Sequence, residues 1–149
     1  MKAYFDHEKL NVYQLSLGFN EWVGLFLNSL SAKAAAKDQL DRAATSIPLN
    51  IAEGNGKFSV RDRARFLEMA RGSSLECAAC LDVLVARQLA DTEHIAAAKE
   101  RLARIVQMLV GLLKRFSERA DVLREERASY FVDYEHDQEQ EHEQEQESR

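Results

Sequence analysis

The sequence predicts an all-α fold, an antiparallel up-down four-helix bundle, on three observations. Apolar residues recur at spacings of three and four in four successive segments, the repeat of one helical face. The connections between them run to roughly four to eight residues, which favours antiparallel neighbours. Six glycines and one proline in 149 residues leave little material for the turns of a β-sandwich or barrel.

The first segment runs from about Glu8 to Leu30, with Val12, Leu15, Phe19, Trp22, Phe26 and Leu30 on one stripe. The second, about Asp38 to Ala52, places Leu40, Ala43 or Ala44, Ile47 and Ile51 together, and Gly54-Asn55-Gly56 reads as its glycine cap. The third starts at Ser59, because Ser59-Val60-Arg61-Asp62 fits a capping box. Its stripe is Phe66, Ala70, Ser73, Cys77, Leu81 and Leu84, and Gly72, Ser73 and Ser74 read as letting another helix approach closely. The fourth starts near Asp91 or Thr92 and carries the cleanest pattern: Ile95, Ala98, Leu102, Ile105, Leu109, Leu112 and Phe116. Tyr13, Leu17 and Leu25 lie off the main stripe of the first helix, as do Val106, Val110 and Leu113 on the fourth. This surplus is read as a subunit interface, with a wide monomer core as the alternative.

The formal charge of −5 is unevenly spread. Residues 1–116 carry 16 Lys/Arg against 13 Asp/Glu, whereas residues 117–149 carry 4 against 12. Residues 1–128 are therefore read as the bundle, with its core at about 5–116, and residues 129–149 as an acidic, disordered C-terminal tail. That tail is either a solubilising tether or a competitor for basic side chains of the body. No secretory signal or membrane-length apolar run is visible, and two cysteines are too few for a stapled secreted fold, so the expected compartment is the cytoplasm.

Pro48 stands inside a helical pattern, where it removes one donor and frees the Ala44 carbonyl; a kink is expected, with Thr45 or Ser46 bonding that carbonyl. Glu53 lies at the wrong end of the helix dipole for a carboxylate and calls for a cation, Lys57 or an arginine. Arg42, Ser46 and Asn50 share its side, a hydrogen-bond stripe or a binding groove. Cys77 and Cys80 have redox spacing but lie mid-helix, where they read as small core fillers. No metal-ligand or cofactor motif appears; Gly54-Asn55-Gly56-Lys57 lacks the strand and spacing of a phosphate loop. Lys57, Arg61, Arg63, Arg65 and Arg71 form a basic cluster with Glu68 among them, and Arg61, Arg65 and Arg71 fall opposite the core stripe. This is a solvated ion-paired face or a nucleic-acid contact.

The run from Gln39 to Lys57, with Ser46-Ile47-Pro48-Leu49-Asn50-Ile51-Ala52-Glu53-Gly54 at its centre, resembles the signature of the bacterial four-helix-bundle proteins linked to 23S rRNA intervening sequences. Leu10-Asn11-Val12-Tyr13-Gln14, Arg65-Phe66-Leu67 and Ala70 to Glu76 continue the resemblance, which spans residues 5 to about 116. It implies a bundle assembling into a ring-shaped homo-oligomer, commonly a homopentamer, with no catalytic residues. A related branch, the accessory proteins of diversity-generating retroelements, works with a reverse transcriptase and binds nucleic acid through basic surfaces. The acidic tail lies outside the usual pattern.

These readings predict a non-enzymatic oligomer without cofactor or membrane. Its partners are further copies of itself and either nucleic acid (RNA or DNA) or a protein. In the first case it is a nucleic-acid or ribonucleoprotein accessory factor using Lys57, Arg61, Arg65 and Arg71; in the second, a protein-binding scaffold. Arg42, Ser46, Pro48, Asn50, Glu53 and Gly54 form the signature stripe, and Tyr13, Leu17, Val106 and Val110 are the candidate subunit contacts.

Overall fold

The structure, a computed structural model, describes residues 2–30 and 35–118. A 3-10 turn, Asp6–Lys9, precedes helices α1 (Asn11–Ser29), α2 (Ala35–Gly56) and α3 (Val60–Ala86). Helix α4 is helical from residue 92 through residue 118. No strand occurs among the described residues. The chain divides after Phe116, and the bundle core belongs to the first unit. The boundary expected at residue 128 and the acidic segment lie outside the described residues.

Neighbouring helices run antiparallel. Gln39 of α2 bonds Glu76 of α3, Ser46 lies 2.8 Å from Ser73, and Gly54 abuts Phe66, so one number rises as the other falls. Lys99 of α4 pairs with Asp82 of α3 at 2.5 Å, and Arg101 Nη1 donates to the Gly18 carbonyl of α1 at 3.3 Å.

The core takes Val12, Phe19, Val23 and Phe26 from α1, and Leu40, Ala43, Ala44, Ile47 and Ile51 from α2. Helix α3 adds Leu67, Ala70, Cys77, Leu81 and Leu84, and α4 adds Ile95, Ala98, Leu102, Ile105 and Leu109. The expected stripe holds for α2 and, through Leu109, for α4, whose Leu112 and Phe116 are half-buried against the core. The stripes of α1 and α3 are rotated slightly: Leu15, Trp22, Phe66 and Ser73 are half-buried, while Ser16 and Ser74 are buried. Both serines close their hydroxyls onto their own helix, on Tyr13 O at 2.6 Å and Ala70 O at 2.9 Å, which lets a polar group sit in the core.

The first helix starts later than expected. Glu8 Oε2 accepts from the Tyr4 and Phe5 amides at 2.5 and 3.2 Å and closes a separate 3-10 turn. Leu10 is extended (φ −76°, ψ 125°) before α1 begins. Helix α3 starts as expected, with the Asp62 amide donating to Ser59 Oγ at 3.0 Å. The His94 amide donates likewise to Asp91 Oδ1 at 2.7 Å and starts α4.

The glycine cap expected after α2 is not used. The helix runs on through Gly56, and no described glycine has positive φ. Gly54 serves close approach instead: a Cβ there would stand 3.0 Å from Phe66 Cβ and 3.3 Å from the Arg63 carbonyl oxygen. Gly72, expected to admit a neighbouring helix, is exposed and faces open space.

Candidate functional site

On α2 the signature residues divide into two groups. Pro48 is buried within an unbroken helix, and the Ala44 carbonyl it frees accepts from Asn20 Nδ2 of α1 at 2.8 Å. Neither Thr45 nor Ser46 does this work, contrary to expectation. Thr45 Oγ1 donates to Asp41 O at 2.9 Å, and Ser46 pairs with Ser73. Asn50 Nδ2 donates to both Ser46 O and Ser46 Oγ at 2.9 Å. Further up, Arg42 Nη2 donates to Gln39 Oε1 at 2.9 Å, and Gln39 Nε2 donates to Glu76. Arg42, Ser46 and Asn50 thus belong to a polar seam that ties α2 to α3 along its length. Glu53 is exposed and takes part in no ion pair among the described residues, so the cation expected for it is absent there.

The basic residues gather where α2 passes into α3. Lys57 Nζ stands 4.8 Å from the Phe66 ring centroid and the Arg65 guanidinium carbon 5.1 Å from it. Both cations therefore lie against one half-buried ring. Arg63 Nε donates to Lys57 O at 2.5 Å and braces the turn from within. Arg61 is exposed, and Arg65 lies 3.9 Å from Asp62 in a loose, exposed pair that neutralises little. Arg71 differs: its guanidinium forks onto Glu68, with Nε at 3.1 and 3.0 Å from the two carboxylate oxygens. That hydrogen bond and charge hold the Glu68 carboxyl below the usual carboxylate range. Arg71 is thus committed locally, whereas Lys57, Arg61 and Arg65 present charge to solvent.

Phe58 sits between Lys57 and the Ser59 cap, with its side chain fully in water at 102% exposure. An apolar residue preceding an N-cap commonly packs on an apolar residue at the fourth helical position. Here that position is Arg63, whose guanidinium turns back to the Lys57 carbonyl, so the ring has no such partner. Burying a phenylalanine side chain is worth about 1.5–3 kcal/mol, which this turn forgoes.

Cys77 and Cys80 are free and buried, as core filling requires. Burial first, then Cys80 and Glu76, push the Cys77 thiol up to about 12, the opposite of an activated thiol. Among the described residues no three His, Cys, Asp or Glu side chains gather to hold a metal ion. Of the candidate interface residues, Tyr13 is half-buried, its ring edge-on to His7 at 4.8 Å. Val106 and Val110 are half-buried and Leu17 is 40% exposed. Leu25, Leu49, Met69, Leu75 and Val83 are exposed as well.

Two residues escape the sequence reading. Phe58 lies in a turn, outside any periodic stripe, and only the polar residue at the fourth helical position signals that it stays uncovered. Asn20 looks like an ordinary polar residue beside an apolar stripe; its pairing with the proline of another helix is visible only in three dimensions.

A family model for the 23S rRNA-intervening sequence protein matches residues 8–111. Among solved structures, the crystal structure of a protein with unknown function from the S23 ribosomal protein family of Bacteroides thetaiotaomicron is similar at 23% identity and a TM-score of 0.66. The likeness covers 69% of this chain and 98% of that one, and it carries the fold alone. No curated protein matches.

Proposed function

The chain belongs to the 23S rRNA-intervening sequence protein family, and on that footing we propose that it is a non-enzymatic, cytoplasmic, homo-oligomeric accessory factor contacting nucleic acid or a ribonucleoprotein. The observation that supports the contact is the α2–α3 turn, where Lys57 and Arg65 lie against the Phe66 ring, Arg61 is exposed, and Phe58, next to Lys57 in the chain, is fully exposed. Fixed cations attract phosphates, and the bound counterions they release make such binding salt-dependent. No helix among the described residues is long and apolar enough to cross a membrane.

Titrating salt against structured RNA, single-stranded DNA and duplex DNA tests this reading. Affinity should fall steeply with salt, and neutralising Arg61 or Arg65 should each flatten the slope by about 1. Binding that ignores salt and both substitutions would remove it.

Assembly into a closed ring is part of the proposal, its pentameric count taken from the family resemblance. Leu17, Val106 and Val110, with Tyr13, offer incompletely buried apolar surface on α1 and α4. Light scattering should find an oligomer at micromolar concentration, and Val106→Glu should dissociate it if that residue is covered by a neighbour. A monomer in the wild type would reject the assembly. The alternative, a protein-binding scaffold, draws support from exposed Leu49, Met69, Leu75 and Val83 on α2 and α3. It predicts no affinity for any nucleic-acid probe at low salt.

A further inference from the structure

The cations of the α2–α3 turn are not alone there, and the uncovered ring between them narrows the ligand. Phe58 offers a flat apolar face to solvent one residue after Lys57 and three before Arg61. Lys57 and Arg65 are held in place by their common contact with the Phe66 ring, while Arg63 fixes the turn by its bond to the Lys57 carbonyl. Between residues 57 and 65 four basic side chains meet a single carboxylate, Asp62, so the local field favours an anion.

Phosphate alone would need only the cations. A duplex presents phosphates outward and keeps its bases stacked inside, out of reach of a protruding ring. An unpaired nucleotide presents both a phosphate and a free base face, and exposed aromatic rings beside cations serve single strands in this way. We infer that the α2–α3 turn binds a single-stranded segment of nucleic acid, one base stacking on Phe58 while flanking phosphates meet Lys57, Arg61 and Arg65. The inference rests on the nucleic-acid reading above and adds to it the strandedness of the ligand and the residue that selects it.

The test uses the full chain and labelled oligonucleotides of about 15 nucleotides: single-stranded RNA, single-stranded DNA of the same sequence, and the corresponding DNA duplex. Fluorescence anisotropy at low salt should show both single strands bound more tightly than the duplex. Phe58→Ala should weaken single-strand binding about 10-fold and leave duplex binding nearly unchanged. Phe58→Tyr, which keeps the ring, should retain the preference. Circular dichroism should match the wild type, because a fully exposed side chain contributes no packing.

Equal loss on single strand and duplex, or no loss, overturns the stacking role. If Arg61→Ala then still weakens all probes, the broader nucleic-acid reading stands. If no probe binds at all, that reading falls and the inference with it. A change in molar mass on Phe58→Ala, measured by light scattering, would mean that a second copy covers the ring and would likewise overturn the inference.

Discussion

At Pro48 the α2 backbone lacks an N–H, and the Ala44 carbonyl one turn earlier takes its hydrogen bond from Asn20 Nδ2 instead. Asn20 also donates to Ser16 O at 2.9 Å, so one amide group joins two helices at the proline. Asn20→Ala should cost about 1–3 kcal/mol, the penalty of a buried acceptor left unpaired. Pro48→Ala restores an N–H within reach of Ala44, so in that background the loss of Asn20 should cost measurably less. Urea unfolding of both single variants and the double variant checks the coupling; simple additivity would refute it. Cys77 gives a pH-dependent case. Its folded pKa of about 12 lies above the unfolded value near 8.5, so the buried thiol keeps its proton while the unfolded one loses it. Its contribution is therefore complete below pH about 8.5 and declines as pH rises towards 12. Native protein should resist thiol alkylation at pH 8, whereas unfolded protein should react at both cysteines. Rapid native labelling of Cys77 would contradict the buried placement.

Among the elements, the sequence reveals what periodicity encodes and conceals what depends on a second helix. The stripe of α2 and that of α4 as far as Leu109 are readable residue by residue, and Ser59 marks the start of α3 because its cap is local. Gly54 reads locally as a cap, yet its reason is Phe66 and Arg63 on the facing helix. The basic cluster is legible as composition, but the commitment of Arg71 to Glu68 and the exposure of Phe58 require coordinates. Two helical glycines, Gly54 and Gly72, therefore predict opposite outcomes. Gly54→Ala drives a methyl towards the backbone of α3, which cannot swing aside, and should destabilise by about 1–3 kcal/mol. Gly72→Ala meets nothing within 4 Å and should stabilise by about 0.5–1 kcal/mol. The end of α3 offers a third case. The Leu89 amide bonds Leu84 O and the Gln88 amide bonds Val85 O, both at 2.9 Å, with Gln88 at φ 59°. That closing motif favours glycine at the left-handed position, so Gln88→Gly should raise stability by up to about 1 kcal/mol. Thermal unfolding that places Gly54→Ala at or above the wild type, or either of the other two variants below it, would contradict these helix contacts.

For the whole molecule the governing quantity is charge. The chain carries −5 in total, yet residues 1–116 alone carry an excess of three basic groups. A polyanion approaching the α2–α3 turn therefore meets local attraction within a net repulsive field. Residues 129–149 hold eight Asp/Glu and one arginine, so ending the chain at Ala128 moves the net charge from −5 to +2. The shortened form should bind single-stranded nucleic acid more tightly at low salt. The gain should shrink as the Debye length falls from about 10 Å at 0.1 M salt to about 3 Å at 1 M. Two controls separate charge from sequence. Replacing the acidic residues by glutamine at unchanged length should reproduce the gain, because only the field has been altered. Scrambling residues 129–149 should leave affinity at the wild-type value, since composition and net charge are kept. If the scrambled chain binds as tightly as the truncated one, the order of the acidic residues matters and a net-charge account is wrong. If truncation changes nothing at low salt, the acidic segment has no influence on the turn, and binding there is set by the residues of the turn itself.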